Sequence, residues 1–330
     1  MRRSATAAIT LAALAACGAV LMAGPLSPPI GAVGPTMKTL DTVEPRIAIS
    51  DATTPGNSSY AYAITQPGSY YLTGDVNAGQ KIGIAVRAAN VTIDLNGFNV
   101  TTEATHDGAA AVWFNEDGTL AAPKGFCIRN GTLKGGGYCV LVMNASVGGR
   151  VENVAIVGGP STGIAVGQAS IIKGCTVTGV VNGIDALAGS IVEDCTVNGV
   201  TSRGISVSAS TVRNCTVRGM TGSSGSCIQA RGDCLIEGNN VGDAGTGQAT
   251  IGIECTNGTQ GNRIQNNHVQ NIRWGVYLNT GSTNNFVVNN TVRGTVTPFV
   301  TSSVPNAVAP VISGAAANFN AINPFSNFSW

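Results

Sequence analysis

Two histidines, His106 and His268, are the whole histidine complement of this 330-residue chain. One of them stands among acids. The stretch THDGAAAVWFNEDG, residues 105–118, gathers His106, Asp107, Glu116 and Asp117 around Trp113. An imidazole and carboxylates at close quarters can pass protons as general acid and base, so His106, Asp107, Glu116 and Asp117 are the catalytic candidates. The plainer reading makes AAAVWF an ordinary strand and Asp117-Gly118 a surface turn. Beyond residue 24 the chain has eight cysteines, at 127, 139, 175, 195, 215, 227, 234 and 255, with no Cys-x-x-Cys pair among them. That spacing predicts no metal site.

Three of the cysteines recur in one phrase, Cys-Thr-Val, at 175, 195 and 215, and the phrase is part of a repeat. SIIKGCTVTG, SIVEDCTVNG, STVRNCTVRG, CLIEGNNVGD, NRIQNNHVQN and NFVVNNTVRG align on Val177, Val197, Val217, Val241, Val269 and Val292. Weaker members end at Leu133 and Ile156. Each is followed by a second short apolar element: GIAV, GIDA, GISV, CIQA, GIEC, GVYL. A period of this length in short β-branched runs divided by Gly, Asn and Ser is a solenoid signal. Strands too short for hairpins, repeated in one direction, predict an all-β fold: a single-stranded right-handed parallel β-helix solenoid of about nine or ten rungs, stacked ~4.8 Å apart.

Stacking turns each repeat position into a column. Cys175, Cys195 and Cys215 continue as Asn239, Asn267 and Asn290, a column expected at a bend, where Asn tolerates left-handed backbone and can bond to itself from rung to rung. The thiols are expected to stay reduced, because neighbouring column members point the same way. Four residues before each closing apolar residue stand Arg129, Glu152, Lys173, Glu193, Arg213, Glu237 and Gln265, with Asp94 ahead of them. Their alternating signs predict cross-rung ion pairs, a structural use that removes these charges from any catalytic list. His268 falls in the column of Thr176, Thr196 and Thr216, where a solvated surface histidine is expected.

The other strand carries an outward column of Ala165, Asp185, Ser206, Gln229, Glu254 and Tyr277, with Arg273 and Trp274 beside its top. An aromatic beside Gln, Glu and Arg can stack a sugar ring and bond its hydroxyls. Asp185, Gln229, Glu254, Arg273, Trp274 and Tyr277 are therefore the ligand-binding candidates, against the alternative of a merely solvated face. Asp185 and Glu254 lie three rungs apart, ~14 Å by rung spacing, too far for an acid pair.

Composition agrees with strands and turns: 44 Gly, 11% charged residues and 5% aromatics. Eighteen basic residues, less Arg2 and Arg3 of the leader, face 17 acidic ones, so no basic excess points to nucleic acid. Residues 1–24 have a basic start, an Ala-rich apolar run and small residues before PLSPPIGAVGP, the pattern of an export signal rather than a membrane span. Two cleavage readings stand. Leu14-Ala15-Ala16-Cys17-Gly18 resembles the lipobox of bacterial lipoproteins and would leave Cys17 as a lipid anchor; the apolar run through Met22 suits cleavage near Ala23. Residues 25–63 are expected as linker and N-terminal cap, 64–300 as the solenoid and 301–330, where Pro and Phe cluster, as the C-terminal cap.

The phrases KTLDTVEPR (38–46), ITQPGSYYLTGDV (64–76) and GIAVRAANVTIDLNGFNV (83–100) resemble the opening of secreted bacterial right-handed β-helix proteins. NRIQNNHVQNIRWGVYLNTGSTNNFVVNNTVRG (262–294) is similar to the repeat shared by carbohydrate-binding proteins and sugar hydrolases, including the NosD-like proteins. The resemblance implies a pectate-lyase-like solenoid outside the cytoplasm, with polysaccharide as partner, and PGSYYLT as its first strands and cap. It leaves the chemistry open. The Asn-Thr-Asp, Asp-Asp and Gly-His-Gly series of polygalacturonases and the Asp-Pro-His of alginate epimerases are absent. A non-catalytic polysaccharide-contacting protein of the cell envelope or exterior is therefore expected, without cofactor. A divergent lyase or glycoside hydrolase is the alternative, calcium entering only if it is a lyase, and a structural surface or adhesion module is the third reading.

Overall fold

The computed structural model describes residues 45–106, 108–114, 124–142, 147–159, 161–245, 249–301, 305–314 and 323–330. Arg46–Trp330 form one compact unit. Among the described residues every element is a strand, and the strands pair in parallel into a wide sheet of 22 and a narrow sheet of 11. One rung shows how the sequence builds this: Ile191–Glu193, a bend, Thr196–Asn198, a turn through Gly199, then Arg203–Val207 in the narrow sheet. The first two pair with Thr211–Arg213 and Thr216–Arg218 one rung up, the third with Ser224–Ala230. The fold is the expected parallel β-solenoid.

The core is a stack of equivalents. Val177, Val197, Val217, Val241, Val269 and Val292 are each 0% exposed, as are Val192, Val212 and Ile236 on the neighbouring strands. Each such side chain contributes about 1.5–3 kcal/mol of burial, and the set repeats at every turn. Space is so tight that a Cβ at Gly183 would lie 2.7 Å from a Val197 methyl and 2.3 Å from the Gly204 carbonyl oxygen. This is why glycine recurs at this position, at Gly163, Gly204, Gly252 and Gly275.

The bend differs in one respect from expectation. The left-handed residue is not the Cys or Asn but the one before it: Gly174 (φ 62°), Asp194 (55°), Asn214 (55°), Gly238 (65°), Asn266 (57°) and Asn289 (54°). That residue takes the φ > 0 demanded by the sharp turn and leaves its successor to point inward. Asn239, Asn267 and Asn290 are 0–1% exposed and form a ladder that ends on Asn327. Asn267 Nδ2 donates to Asn290 Oδ1 (3.0 Å) and to Ile236 O (2.9 Å), and Asn267 Oδ1 accepts from the N–H and Nδ2 of Asn239. Below the ladder, Cys175, Cys195 and Cys215 fill the same column as buried thiols donating to backbone carbonyls.

A second inward column, not anticipated, lines the bend after the narrow sheet. It runs Ser170, Ser190, Ser210, Cys234, Asn262, Asn285, Asn306, with N–H to side-chain bonds of 3.0–3.1 Å at each step except Ser210 to Cys234. Both columns change to Asn in the C-terminal half, where the rungs lengthen.

The charge column is in register throughout, from Asp94 opposite Arg129 to Glu237 opposite Gln265. Lys173 Nζ stands 2.9 Å from Glu193, and Arg213 Nε donates to it at 2.8 Å; together they hold the Glu193 carboxyl below the usual range. Parallel pairing reaches past residues 64–300 at both ends. Ile47–Ala48 pairs with Gly68–Tyr71, and Asn327–Ser329 pairs with Thr291–Arg293. The narrow sheet begins under an antiparallel bridge from Pro55 to Tyr62 and ends on Thr297–Val300, whose Pro298 offers no N–H to a further strand.

Two expectations follow. Asn267→Ala orphans buried donors on Asn239 and should cost about 3 kcal/mol in denaturant unfolding, whereas Thr196→Ala, on the exposed side of the bend, should cost under about 0.5 kcal/mol. Glu193→Lys places a cation between Lys173 and Arg213 and should lower stability more than Asp51→Lys. The Glu193 carboxyl is depressed in the folded state, so its contribution should be present at pH 7 and fade as pH falls below about 4.5. Equal losses in either pair would contradict the register.

Candidate functional site

The narrow sheet stacks Ala165, Asp185, Ser206, Gln229, Glu254 and Tyr277 one per rung, as outward neighbours. Beside them runs a second outward column, Thr162, Asn182, Arg203, Ser226, Ile251 and Trp274. Trp274 and Tyr277 thus belong to one strand, Trp274–Leu278, with ring centroids 5.8 Å apart. The Arg273 guanidinium lies 4.9 Å over the Trp274 ring, its Nε buried without a partner.

Glu254 is the centre of the face. It is 9% exposed, and three neutral donors hold it: Ser226 Oγ and Gln229 Nε2 (3.1 Å) on Oε2, and Asn279 Nδ2 (3.2 Å) on Oε1. Gln229 Oε1 in turn accepts from Ser206 Oγ at 3.2 Å. Arg231 reaches down two rungs to pair with Asp185, and Arg203 Nε donates to Asn182 Oδ1 at 3.2 Å. Asp185 and Glu254 are separated by Ser206 and Gln229, ~14 Å by rung spacing, so they do not form an acid pair. What the arrangement offers is a row of fixed donors and acceptors with an aromatic platform at one end.

Of the sequence-derived candidates, the structure brings Gln229, Glu254, Arg273, Trp274 and Tyr277 to adjoining rungs and leaves Asp185 two rungs below Gln229. Ser226, Asn279, Arg203 and Arg231 were missed. Their signal was the position three before each column member, for Arg203 and Ser226, and the position two beyond, for Arg231 and Asn279. The face has a lower boundary: continued downward, the column reads Ala165, Leu141, Trp113, Ala85, Ala63. There Tyr60, Ala63, Ile82 and Ala85 form a small apolar cluster outside the solenoid with Trp113 packed on it, and Ala85 is 0% exposed.

In the 101–125 insertion, Ala110–Phe114 is a strand of the narrow sheet, between Ile82–Val86 and Tyr138–Val142. His106 is exposed, its carbonyl accepting from Ala109 N–H at 2.9 Å. Asp107, Glu116 and Asp117 lie outside the described residues. His268 stands between Asn240 and Thr291 in the outward column of the wide sheet. Its Nδ1 is 2.8 Å from Thr291 Oγ1 and its Nε2 3.1 Å from Gln270 Oε1. Surface concavities occur at bends of the wide sheet, one bordered by Glu193, Arg213, Asn214 and Glu237, another by Asn284, Phe286 and Pro305.

Residues 185–303 match the family model "Periplasmic copper-binding protein (NosD)". The chain folds as a parallel β-solenoid, and this segment is similar to that family. No curated protein matches the chain. Among solved structures, the tailspike protein of E. coli bacteriophage HK620 in complex with a pentasaccharide is similar at 14% identity and TM-score 0.47, over 84% of this chain and 68% of its own. The tailspike protein gp49 of Acinetobacter baumannii bacteriophage Fri1, a capsular polysaccharide depolymerase, is 11% identical with TM-score 0.43, over 73% of this chain and 57% of its own. The A-module of the Azotobacter vinelandii mannuronan C-5 epimerase AlgE4 is 12% identical with TM-score 0.41, over 72% of this chain and 91% of its own.

The metal in the family's description does not fit the donors seen here. Among the described residues no three His, Cys, Asp or Glu side chains cluster as metal ligands. The thiols are spent in the core: burial pushes Cys139, Cys227 and Cys255 up to about 12 and raises Cys234 as well. Cys127, on the outer face of the wide sheet, is the one described cysteine that is partly exposed. Titration of the chain from residue 25 with a disulfide reagent at pH 8 should therefore modify at most one thiol in the native protein and eight after unfolding. Rapid native reaction of several would contradict this packing.

Proposed function

We propose that this chain is an exported β-helix protein of the cell envelope or exterior that binds polysaccharide, without cleaving it, along the narrow-sheet face from Asp185 to Tyr277. The observation that carries the reading is the polar row centred on Glu254 and closed by Trp274 and Tyr277. Fixed side chains that present donors, acceptors and an aromatic ring in one line suit a hydroxyl-rich, ring-bearing polymer. The absence of a second carboxylate within reach of Glu254, among the described residues, favours binding over glycoside cleavage, which uses two. The family's description as periplasmic agrees with the export pattern of residues 1–24. No helix among the described residues is long and apolar enough to cross a membrane.

The test incubates the chain from residue 25 with acidic and neutral polysaccharides, following retention of the protein and chain length of the glycan in the same samples. Retention without shortening is expected, and Trp274→Ala, with an unchanged melting curve, should weaken it about tenfold or more, the loss of one stacked ring. Shortened glycan would overturn the non-catalytic reading in favour of a divergent lyase or hydrolase near His106 or Glu254. Neither retention nor shortening would leave the structural or adhesion role.

A further inference from the structure

The outward face of the wide sheet changes character over its last rungs. Through the middle of the solenoid it carries the alternating charges, and the rung of Arg263, Gln265, His268 and Gln270 is still wholly polar. One rung further those positions read Phe286, Val288, Thr291 and Arg293. The next sets Ala307 on Phe286 and Phe328 on Thr291, with Trp330 two residues beyond Phe328, and Ile312 then stacks on Phe328. Phe325 stands at the intervening bend, where its carbonyl accepts from the Asn289 N–H at 3.2 Å, and it shares a shallow groove with Phe286, Val288 and Ala307.

This end is uncharged as well as apolar. No charged side chain occurs from Gly294 to Trp330. Eight large apolar side chains are exposed among the described residues, and five of them, Phe286, Val296, Val311, Phe325 and Trp330, belong to this end. Phe286, Phe325 and Trp330 are 39%, 57% and 53% exposed, which leaves roughly 300 Å² of ring surface bare in one region. Joined by Ala307, Ile312 and Phe328, it approaches the apolar share of an interface of about 800 Å² per partner, the size that stable pairs commonly bury.

An uncharged apolar surface meets a copy of itself across a twofold axis without repulsion. The charge columns below it decide how two copies lie. With the solenoid axes parallel, a face-to-face pair sets Glu193 against Glu193 and Arg213 against Arg213, like charge opposite like along the ladder. With the axes antiparallel and only the last rungs overlapped, the two ladders run apart into water.

We propose that this end of the wide sheet is a dimerisation surface, on which a second copy of the chain packs the same face of its last rungs, with the two solenoid axes antiparallel. The narrow-sheet face takes no part in it, so the proposal stands apart from glycan binding.

The experiment is sedimentation of the chain from residue 25 over a concentration series, with small-angle X-ray scattering of the heavier species. A monomer–dimer equilibrium in the micromolar range is expected. Eleven narrow-sheet strands make the solenoid ~48 Å long, so a pair overlapped by about three rungs should reach ~80 Å. Phe325→Asp should weaken association about tenfold or more, and Trp330→Ala should weaken it in the same direction. Val157→Asp, at an exposed apolar position of the same face between Lys134 and Thr178, should leave association unchanged. Should Phe325→Asp not fold, the association and length of the unaltered chain decide by themselves. A chain that stays monomeric into the hundreds of micromolar, a pair no longer than one solenoid, or equal losses in Val157→Asp and Phe325→Asp would overturn the proposal. A monomer that instead sediments with phosphatidylcholine vesicles, and ceases to in Phe325→Asp, would also overturn it and assign the patch to a lipid surface.

Discussion

Everything in this molecule depends on the parallel backbone ladder between successive turns. A three-residue strand such as Thr196–Asn198 has no stability alone; it exists because its amides and carbonyls are met by Cys175–Thr178 on one side and Cys215–Arg218 on the other. Because that pairing is parallel and in register, a residue type chosen at one turn is repeated against itself at the next. Side chains therefore succeed or fail as columns: valines fill the core, amides bond to amides, and opposite charges must alternate.

The bends are where this constraint is hardest to meet, since there the backbone leaves the ladder and its polar groups turn toward a dry interior. The chain solves the problem in two chemistries. Small Ser and Cys side chains suffice where the turns are 20 residues long, and Asn ladders take over where they grow longer, ending on Asn306 and Asn327. The same constraint confines variation to outward positions. On the wide sheet these carry self-neutralising charges. On the narrow sheet they differ from rung to rung, and one row there joins polar side chains to Trp274 and Tyr277.

The fold was legible because the repeat writes its register into the sequence: the Cys-Thr-Val triplets, the closing valines and the alternating charges all align on one period. Asp94 could be placed opposite Arg129 for the same reason. The site was less legible. The column from Asp185 to Tyr277 follows from the period, but the partners that define its chemistry, Ser226 and Asn279 on Glu254 and Arg231 on Asp185, sit where a long side chain reaches across rungs, and spacing does not specify reach. The left-handed residue of the bend was displaced by one position, since Asn serves both for positive φ, at Asn266 and Asn289, and for the inward ladder, at Asn267 and Asn290. Composition alone does not separate those uses.

The central claim is that one face of the solenoid, and not the other, meets the glycan. Hydroxyl-radical footprinting with and without saturating polysaccharide tests it most directly, because aromatic side chains report on both sheets at once. The account predicts that Trp274 and Tyr277 become protected while Phe286, Phe325 and Trp330 keep their reactivity. Protection of Phe286 or Trp330 with Trp274 unchanged would contradict it.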